Sequence, residues 1–493
     1  MKSPVIRVLL QSIFTLSLGY LAGQEAFGQD PPDLSADDKK VMQSLDNRFT
    51  AYAEVAHEIW TYAELGYIEH RSSKLLQDKL AAAGLEVAAG VANIPTAFAA
   101  SYGTGKPVIG ILAEFDALPG VSQDAVPYRK ERTDCAAGHA CGHHLFGTAS
   151  AASGIAIKEW LEASGSSGTI KVFGTPAEEG GAGKVYMARD GVFDGVDVML
   201  NWHPGDGNSA GANSCLAIKT AKFRFHGAAS HAAVAPERGR SALDGVEAMN
   251  DMANMLREHV PEESRIHYVI TKGGEAPNVV PAEAEVYYAV RHPQTREVKS
   301  IFDRIVKCAE GAATGTGTTM DYEVVSGAYN LLPNRALAEV MDRNLRKVGG
   351  VKYTAEERQF AEEIITSYPE MKVKPADAEN IGEFYVTDRA GPFSTDVGDV
   401  SWLVPTAGLR TATWVPGTSS HSWQAVAAGG MSIGHKGMMV AAKTMALAAI
   451  DIYKNPDVVR SALKELKERQ GEDFKYEALL GNREAPLDYR VGF

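Results

Sequence analysis

Thr169-Ile170-Lys171-Val172-Phe173, continuing into Gly174-Thr175-Pro176-Ala177-Glu178-Glu179-Gly180, decides how the rest of the chain is read. The first five residues have the β-branched, apolar character of a strand. That strand empties through a proline into two adjacent carboxylates and a glycine-rich turn. The same grammar recurs on either side. Residues 96–102 and 107–115 read as strands, the second ending in Asp116-Ala117-Leu118-Pro119-Gly120. Residues 143–163 read as a helix, and 197–201 as a strand leading into Trp202-His203-Pro204. Strand, polar loop and helix in alternation predict an α/β layer, and in such sheets ligands gather beyond the carboxyl ends of the strands. Each polar cluster falls at such an end.

The pattern changes near residue 215. Residues 216–225, 266–270, 283–290 and 318–325 read as strands, with helices over 239–259 and 296–313. The order β-α-β-β-α-β is that of a ferredoxin-like unit. An inserted domain over 216–326 therefore divides the first fold into 29–215 and 327–493. Before the α/β run, Ser35 and Asp38 form a capping pair. One apolar helical period then carries Leu45, Phe49, Tyr52, Ala56, Ile59 and Trp60, and a second helix over 71–83 stops at Gly84. After the insertion, helices are expected over 335–347, 355–366, 436–453 and 458–469, with 368–400 rich in loops.

Composition narrows the function. The 493 residues are 45% hydrophobic and 23% charged, which fits an ordinary globular chain and excludes a disordered one. A formal net charge of -13 argues against nucleic acid as the main partner, because phosphate binding needs a basic face. Four cysteines in so long a chain give no disulfide framework. At the N-terminus, Lys2 and Arg7 precede a mostly apolar run, and Ala26-Phe27-Gly28 sets small residues ahead of Gln29. This reads as a signal peptide over 1–28, with Gln11, Ser12, Thr15 and Ser17 weakening the alternative of an uncleaved anchor. No later segment is apolar enough to span a bilayer, so export to a periplasm or beyond the cell is expected.

The chemistry rests on a few side chains. In Gly138-His139-Ala140-Cys141-Gly142-His143-His144, a thiolate and an imidazole two apart can chelate one ion if Gly142 permits a tight turn. Taken alone, the pattern equally describes a buried thiol beside a helix-capping histidine. Of the adjacent pair Glu178 and Glu179, one can bind metal while the other acts as general base; a solvated acidic turn is the plain alternative. His203 and His421 say little singly. Together Cys141, His143, Glu179, His203 and His421 offer donors for one or two divalent ions. Cysteine and histidine favour zinc, and the carboxylate leaves manganese open. No G-x-S-x-G elbow suggests a serine hydrolase.

Further motifs follow in order: Gly227-Ala228-Ala229-Ser230-His231, Ala276-Pro277-Asn278-Val279-Val280-Pro281 and Gly417-Thr418-Ser419-Ser420-His421-Ser422. With those above, they resemble the amidohydrolase branch of metallopeptidase family 20, subfamily D, over roughly residues 40–470. That branch includes aminoacylases, hippurate hydrolases and auxin-conjugate hydrolases. The resemblance implies a zinc-peptidase-like, three-layer α/β catalytic domain carrying a ferredoxin-like lid and dimerisation domain. It implies that Cys141, His143, Glu179, His203 and His421 are metal ligands, that Glu178 is the catalytic carboxylate and that Asp116 orients the site. His231 matches a lid histidine that reaches the substrate carbonyl, often across a dimer. Asn278 and Arg291 fall where a substrate carboxylate would be met. His144 departs from the usual aspartate or asparagine and is not assigned as a ligand. Where the dipeptidase branches have a histidine two residues before the orienting aspartate, this chain has Glu114.

The activity so implied is hydrolysis of an N-acyl or N-aroyl amino acid, such as aminobenzoyl-glutamate, by metal-activated water. The partners expected are a small-molecule substrate, a second copy of the chain through the lid, and a different companion chain as a further option. A dipeptidase or carboxypeptidase on the same fold is the nearest alternative. A non-catalytic metal- or ligand-binding protein is the alternative of a different class.

Overall fold

The computed structural model describes residues 33–492, so the expected signal segment lies outside the described residues. Among the described residues twelve strands are present: β1 (Glu86–Ala89), β2 (Phe98–Thr104), β3 (Val108–Ala113), β4 (Gly168–Gly174), β5 (Val198–Gly205), β6 (Ser209–Cys215), β7 (Ala217–His226), β8 (Arg265–Lys272), β9 (Glu283–His292), β10 (Thr319–Ala328), β11 (Tyr385–Gly391) and β12 (Thr406–Ala412). They form an eight-stranded sheet of order β1-β2-β4-β3-β5-β12-β6-β11 and a four-stranded sheet of order β10-β7-β9-β8.

The middle of the large sheet, β4-β3-β5-β12, is parallel throughout. Its strands read as near-continuous apolar runs because both faces are covered: Ile109, Ile111, Leu112, Ile170, Val172, Val198 and Leu200 are all fully buried. The helices His143–Ser164 and Ser432–Lys454 pack on one another and on these strands. Both are buried for most of their length, which is why neither shows a clean polar stripe. The small sheet is antiparallel, and the helices Ala242–Leu256 and Thr295–Thr316 pack against it over a core of its own built on Phe223, Val246, Met249, Val286, Ile301 and Ile305. Its order is that of the ferredoxin-like unit, inserted between β6 and the return of the chain to the large sheet.

Three features differ from the sequence expectation. The single apolar period over residues 36–60 is two helices, Ala36–Asn47 and Phe49–Tyr62, broken at Arg48. Leu45 and Phe49 stay in phase across the break, so periodicity alone does not register it. The stretch read as loop-rich holds β11 and a short helix, Val397–Ser401. Finally, β6 and β12 carry many small and polar residues, and their strand character comes from pairing with neighbours. The last of these matters for function, because β12 lies beside β5 in the centre of the sheet and leads towards His421.

Candidate metal centre

Four successive parallel strands deliver the site. Glu114 and Asp116 follow β3, Glu178 and Glu179 follow β4, His203 lies near the end of β5, and His421 follows β12. Cys141 and His143 meet them from the start of the helix His143–Ser164. Gly142, the residue between the two, has φ +78°, and a Cβ there would stand 2.7 Å from Cβ of Pro204. Only glycine lets the thiol and the imidazole turn to the same side so close to β5. His421 itself has φ +60°, a costly conformation for a side chain of this size and one that clusters at functional sites.

Asp116 organises the centre. Nδ1–H of His143 donates to its Oδ1 at 2.8 Å, and the backbone N–H of Glu179 donates to its Oδ2 at 2.9 Å. One buried carboxylate therefore fixes the ring of His143 and the peptide of Glu179. The other ring atom, Nε2 of His143, stands 3.0 Å from Oε2 of Glu114. His203 repeats the arrangement: Nδ1–H donates to the carbonyl of Pro204 at 2.8 Å, which turns Nε2 towards Sγ of Cys141 at 3.4 Å. Nε2 of His421 stands 3.1 Å from Oε1 of Glu179. Three donor triads result: Cys141, His143 and His203; Cys141, Glu179 and His421; and Glu114, His143 and Glu178. Within each, the donor atoms lie within 4.8 Å of one another.

These residues fit a divalent cation, or two. Among the described residues, Oε2 of Glu114, Nε2 of His143 and Oε1 of Glu179 are buried without a hydrogen-bond partner, the first two facing one another and the third facing His421. Buried polar atoms left unpaired are costly, and positive charge, a proton on His143 or a bound cation, is what such a group of carboxylates needs. Burial opposes charge on His143, yet Cys141, Glu114 and Asp116 outweigh it and hold its pKa well above the usual imidazole range. Burial, with His143 beside it, pushes His203 down to about 3, which leaves the neutral form that ligates metal. Burial drives the Cys141 thiol up, so its thiolate needs a compensating cation. Burial and the carboxylates of Glu114 and Glu179 hold Glu178 well above the ordinary range.

Not every expected residue joins this cluster. His144 is buried on the other side of the helix start, its Nε2 against the carbonyl of Gly429 at 3.0 Å and its ring against His139. It fills a structural place and belongs to none of the triads. His231 and Asn278 sit together at an exposed tip of the small domain, where the N–H of Ala232 donates to the carbonyl of Asn278 at 3.0 Å. Nδ1 of His231 accepts from the backbone of Ala233 and Val234, which leaves Nε2–H of this exposed ring as the donor. Arg291 lies elsewhere, lining a cleft of about 930 Å³ between β8, β9 and β11 with Arg265, His267 and Arg389. Arg265 and Arg291 stand directly opposite across two strands, and neither is ion-paired among the described residues; Nη1 of Arg291 donates to Ser394 Oγ at 3.1 Å.

Two buried residues, Lys184 and Asp396, carry no signal of their own in the sequence. Lys184 donates to Glu114 and to Asp396, both at 2.7 Å, and sets a fixed positive charge beside the carboxylates. Both carboxylates hold its pKa above the usual lysine range against burial. The oddity of Glu114, two before the orienting aspartate, is the only hint of this pair that the sequence offers.

A parallel-sheet edge that gathers a thiol, three imidazoles and four carboxylates around unpartnered donor atoms defines a metal-dependent hydrolase. Comparison with known proteins agrees. The peptidase dimerisation domain of the M20 family is matched by residues 217–316. One of the p-aminobenzoyl-glutamate hydrolase proteins of Escherichia coli (strain K12) is 41% identical over 439 residues, covering 84% of this chain and 91% of that one. The Xaa-Arg dipeptidase of Mus musculus is 28% identical over 446 residues, covering 87% and 92%. Among solved structures, an aminobenzoyl-glutamate utilization protein from Klebsiella pneumoniae matches at a TM-score of 0.59 and 19% identity, covering 85% of this chain and 99% of that one. A dinuclear metal binding peptidase of the M20 family from Bacillus subtilis matches at 0.56 and 17%, with the same coverage. These structural likenesses show the fold. The chain belongs to the M20 family of metallopeptidases, in its amidohydrolase branch.

Proposed function

We propose that this enzyme hydrolyses the amide bond of an N-acyl or N-aroyl acidic amino acid, with aminobenzoyl-glutamate as the reference substrate. The observation that carries the reading is the set of three donor triads linked through Cys141 and His143, with Glu178 in the one that His143 shares with Glu114. Cys141, His143, Glu179, His203 and His421 would hold one or two ions, zinc or manganese. Such a group, when bound, polarises the scissile carbonyl and makes a water acidic enough to ionise near neutral pH.

The chain's own residues do the rest. Glu178 takes the proton of the attacking water and hands it to the leaving nitrogen. Its raised pKa suits a group that must hold a proton between the two transfers. Asp116 keeps His143 and Glu179 in place. His231, with Nε2–H left as its donor, donates to the developing oxyanion of a substrate held by the other protomer once two lids pair. The pairing surface is the free edge strand β8 and its neighbouring helix, which expose Val269, Ile270, Met252 and Met255. Arg291 meets the substrate carboxylate in the cleft of its own chain, and Asn278 comes to the substrate with His231 on the tip of the other protomer's lid. Arg265 and Arg389, beside Arg291 and without an ion pair among the described residues, favour a second carboxylate over a neutral or basic side chain, which weighs against dipeptides ending in arginine. Export through an N-terminal signal is part of the same proposal.

The test is removal of metal with a chelator, then readdition of zinc or manganese, against a panel of N-acyl amino acids that includes aminobenzoyl-glutamate. Turnover should vanish and return, with acyl-glutamates preferred. If no amide in the panel were cleaved with either metal restored, the proposal would fail.

A further inference from the structure

The loop that carries Glu178 and Glu179 has an uncomfortable backbone: Ala177 and Ala182 both lie at positive φ, +57° and +58°. Such a loop persists only when its surroundings over-determine it. Its peptide groups are held one after another. The N–H of Ala177 donates to Oε1 of buried Glu69 at 2.8 Å. The N–H of Glu179 donates to Asp116. The hydroxyl of Tyr67 donates to the carbonyl of Gly181 at 2.8 Å. The remaining hold, on the carbonyl of Glu179, comes from the far end of the chain: the hydroxyl of Tyr489 and Nη2 of Arg490 both donate to it at 3.1 Å.

The segment that delivers these donors is anchored along its length. Tyr476 donates to buried Asp399 at 2.7 Å. Leu479 and Leu480 are buried. Arg189 donates to the carbonyl of Arg483 at 2.6 Å, while Arg483 donates to the carbonyl of Val325 in β10 at 2.9 Å. The ring of Tyr489 then meets Tyr67 edge-on, 5.6 Å between centroids. Gly66 makes room for it, because a Cβ there would lie 2.5 Å from the Tyr489 hydroxyl. The last residues thus run from a strand of the small sheet to the backbone of Glu179.

We propose that Tyr489 and Arg490 are positioning residues: by fixing the carbonyl of Glu179 they set the direction of its carboxylate and the spacing of Glu178 from it. With Asp116 on the N–H and the terminal strap on the C=O, the two peptide groups that flank the Glu179 Cα are both held, and its side chain is presented to the metal in one orientation. This rests on the assignment of Glu179 as a ligand, so the test reads the metal as well as the reaction.

Four full-length variants suffice: Y489F, R490M, the double variant and R490K. Each is loaded with cobalt(II). The absorption spectrum, metal retention against a competing chelator, kcat, KM and thermal midpoint are then recorded. In the double variant the visible cobalt bands should shift and metal retention should fall about tenfold. kcat should drop at least tenfold with KM within twofold, while the thermal midpoint stays within a few degrees. R490K should recover most of the R490M loss. A double variant with the wild-type cobalt spectrum and metal retention would overturn the proposal, whether or not its midpoint fell, since packing alone would then explain the strap. Because the cobalt readout needs no substrate, a wrong substrate assignment leaves this test intact.

Discussion

The sheet edge and the tip of the small domain carry the two halves of the proposed chemistry in opposite physical states. At the edge, Glu114, Asp116, His143 and Lys184 are buried and hold one another through contacts of 2.7–3.0 Å. At the tip, His231 and Asn278 are exposed and touch none of them. The edge is complete in one protomer and preorganised before any substrate arrives. The tip offers His231 and Asn278 side chains for which no hydrogen-bond acceptor stands among the described residues. The contrast teaches where the cost of the proposed reaction falls: the geometry of the edge is settled on folding, and, in that proposal, oxyanion stabilisation waits for a second body to approach.

The comparison can be broken most severely at Glu178. E178Q should lower kcat by about a thousandfold, within the range for a general base, with metal content by atomic absorption unchanged. Loss of metal together with activity would mean that Glu178, and not only Glu179, belongs to the ligand set. Next comes the tip. H231A should lower kcat by about a hundredfold, as for loss of an oxyanion donor, and leave metal binding untouched. Mixing H231A with E178Q should restore part of the activity, because one mixed-dimer site would then combine an intact lid and an intact base. No recovery on mixing would place His231 over the site of its own chain.

A smaller effect is expected in the cleft. R389M should raise KM for an acyl-glutamate about tenfold while leaving KM for an acyl-alanine within twofold, the loss of one charge-assisted contact. Equal losses for both substrates would mean the cleft does not read the second carboxylate. The smallest effect lies at Asp399. Burial raises its pKa from 3.8 to about 7 against the hydrogen bonds from Tyr329 and Tyr476. Its protonated form is the one the fold favours. That contribution is whole below about pH 4 and is lost as pH rises to 7. D399N should therefore raise the thermal midpoint by a few degrees at pH 8 and by almost nothing at pH 4, as differential scanning calorimetry would show.

Much of the site is legible because its residues stand at strand ends in short distinctive strings, where Cys141-Gly142-His143 and Glu178-Glu179 announce their chemistry. Lys184 is not. In sequence it is one lysine after a glycine run, and its importance comes from Asp396, 212 positions away, and from Glu114 just past the end of β3. Fold legibility divides the same way. The apolar strands β3, β4 and β5 declare themselves, whereas β6, β11 and β12 depend on partners that pattern reading cannot supply. The break at Arg48 is hidden because both helices turn their apolar faces to one core.

The placement of β12 has a consequence for how the chain becomes a protein. Thr413, just past the end of β12, takes a hydrogen bond from Gly205 at the end of β5, 208 positions earlier. Until that late segment pairs, β5 presents an unpaired apolar edge, and the loop bearing His421 is not held at the site. Closing the centre of the sheet therefore depends on a contact of high sequence separation, the kind that slows folding. The half-made chain is the species at risk of aggregating through that open edge.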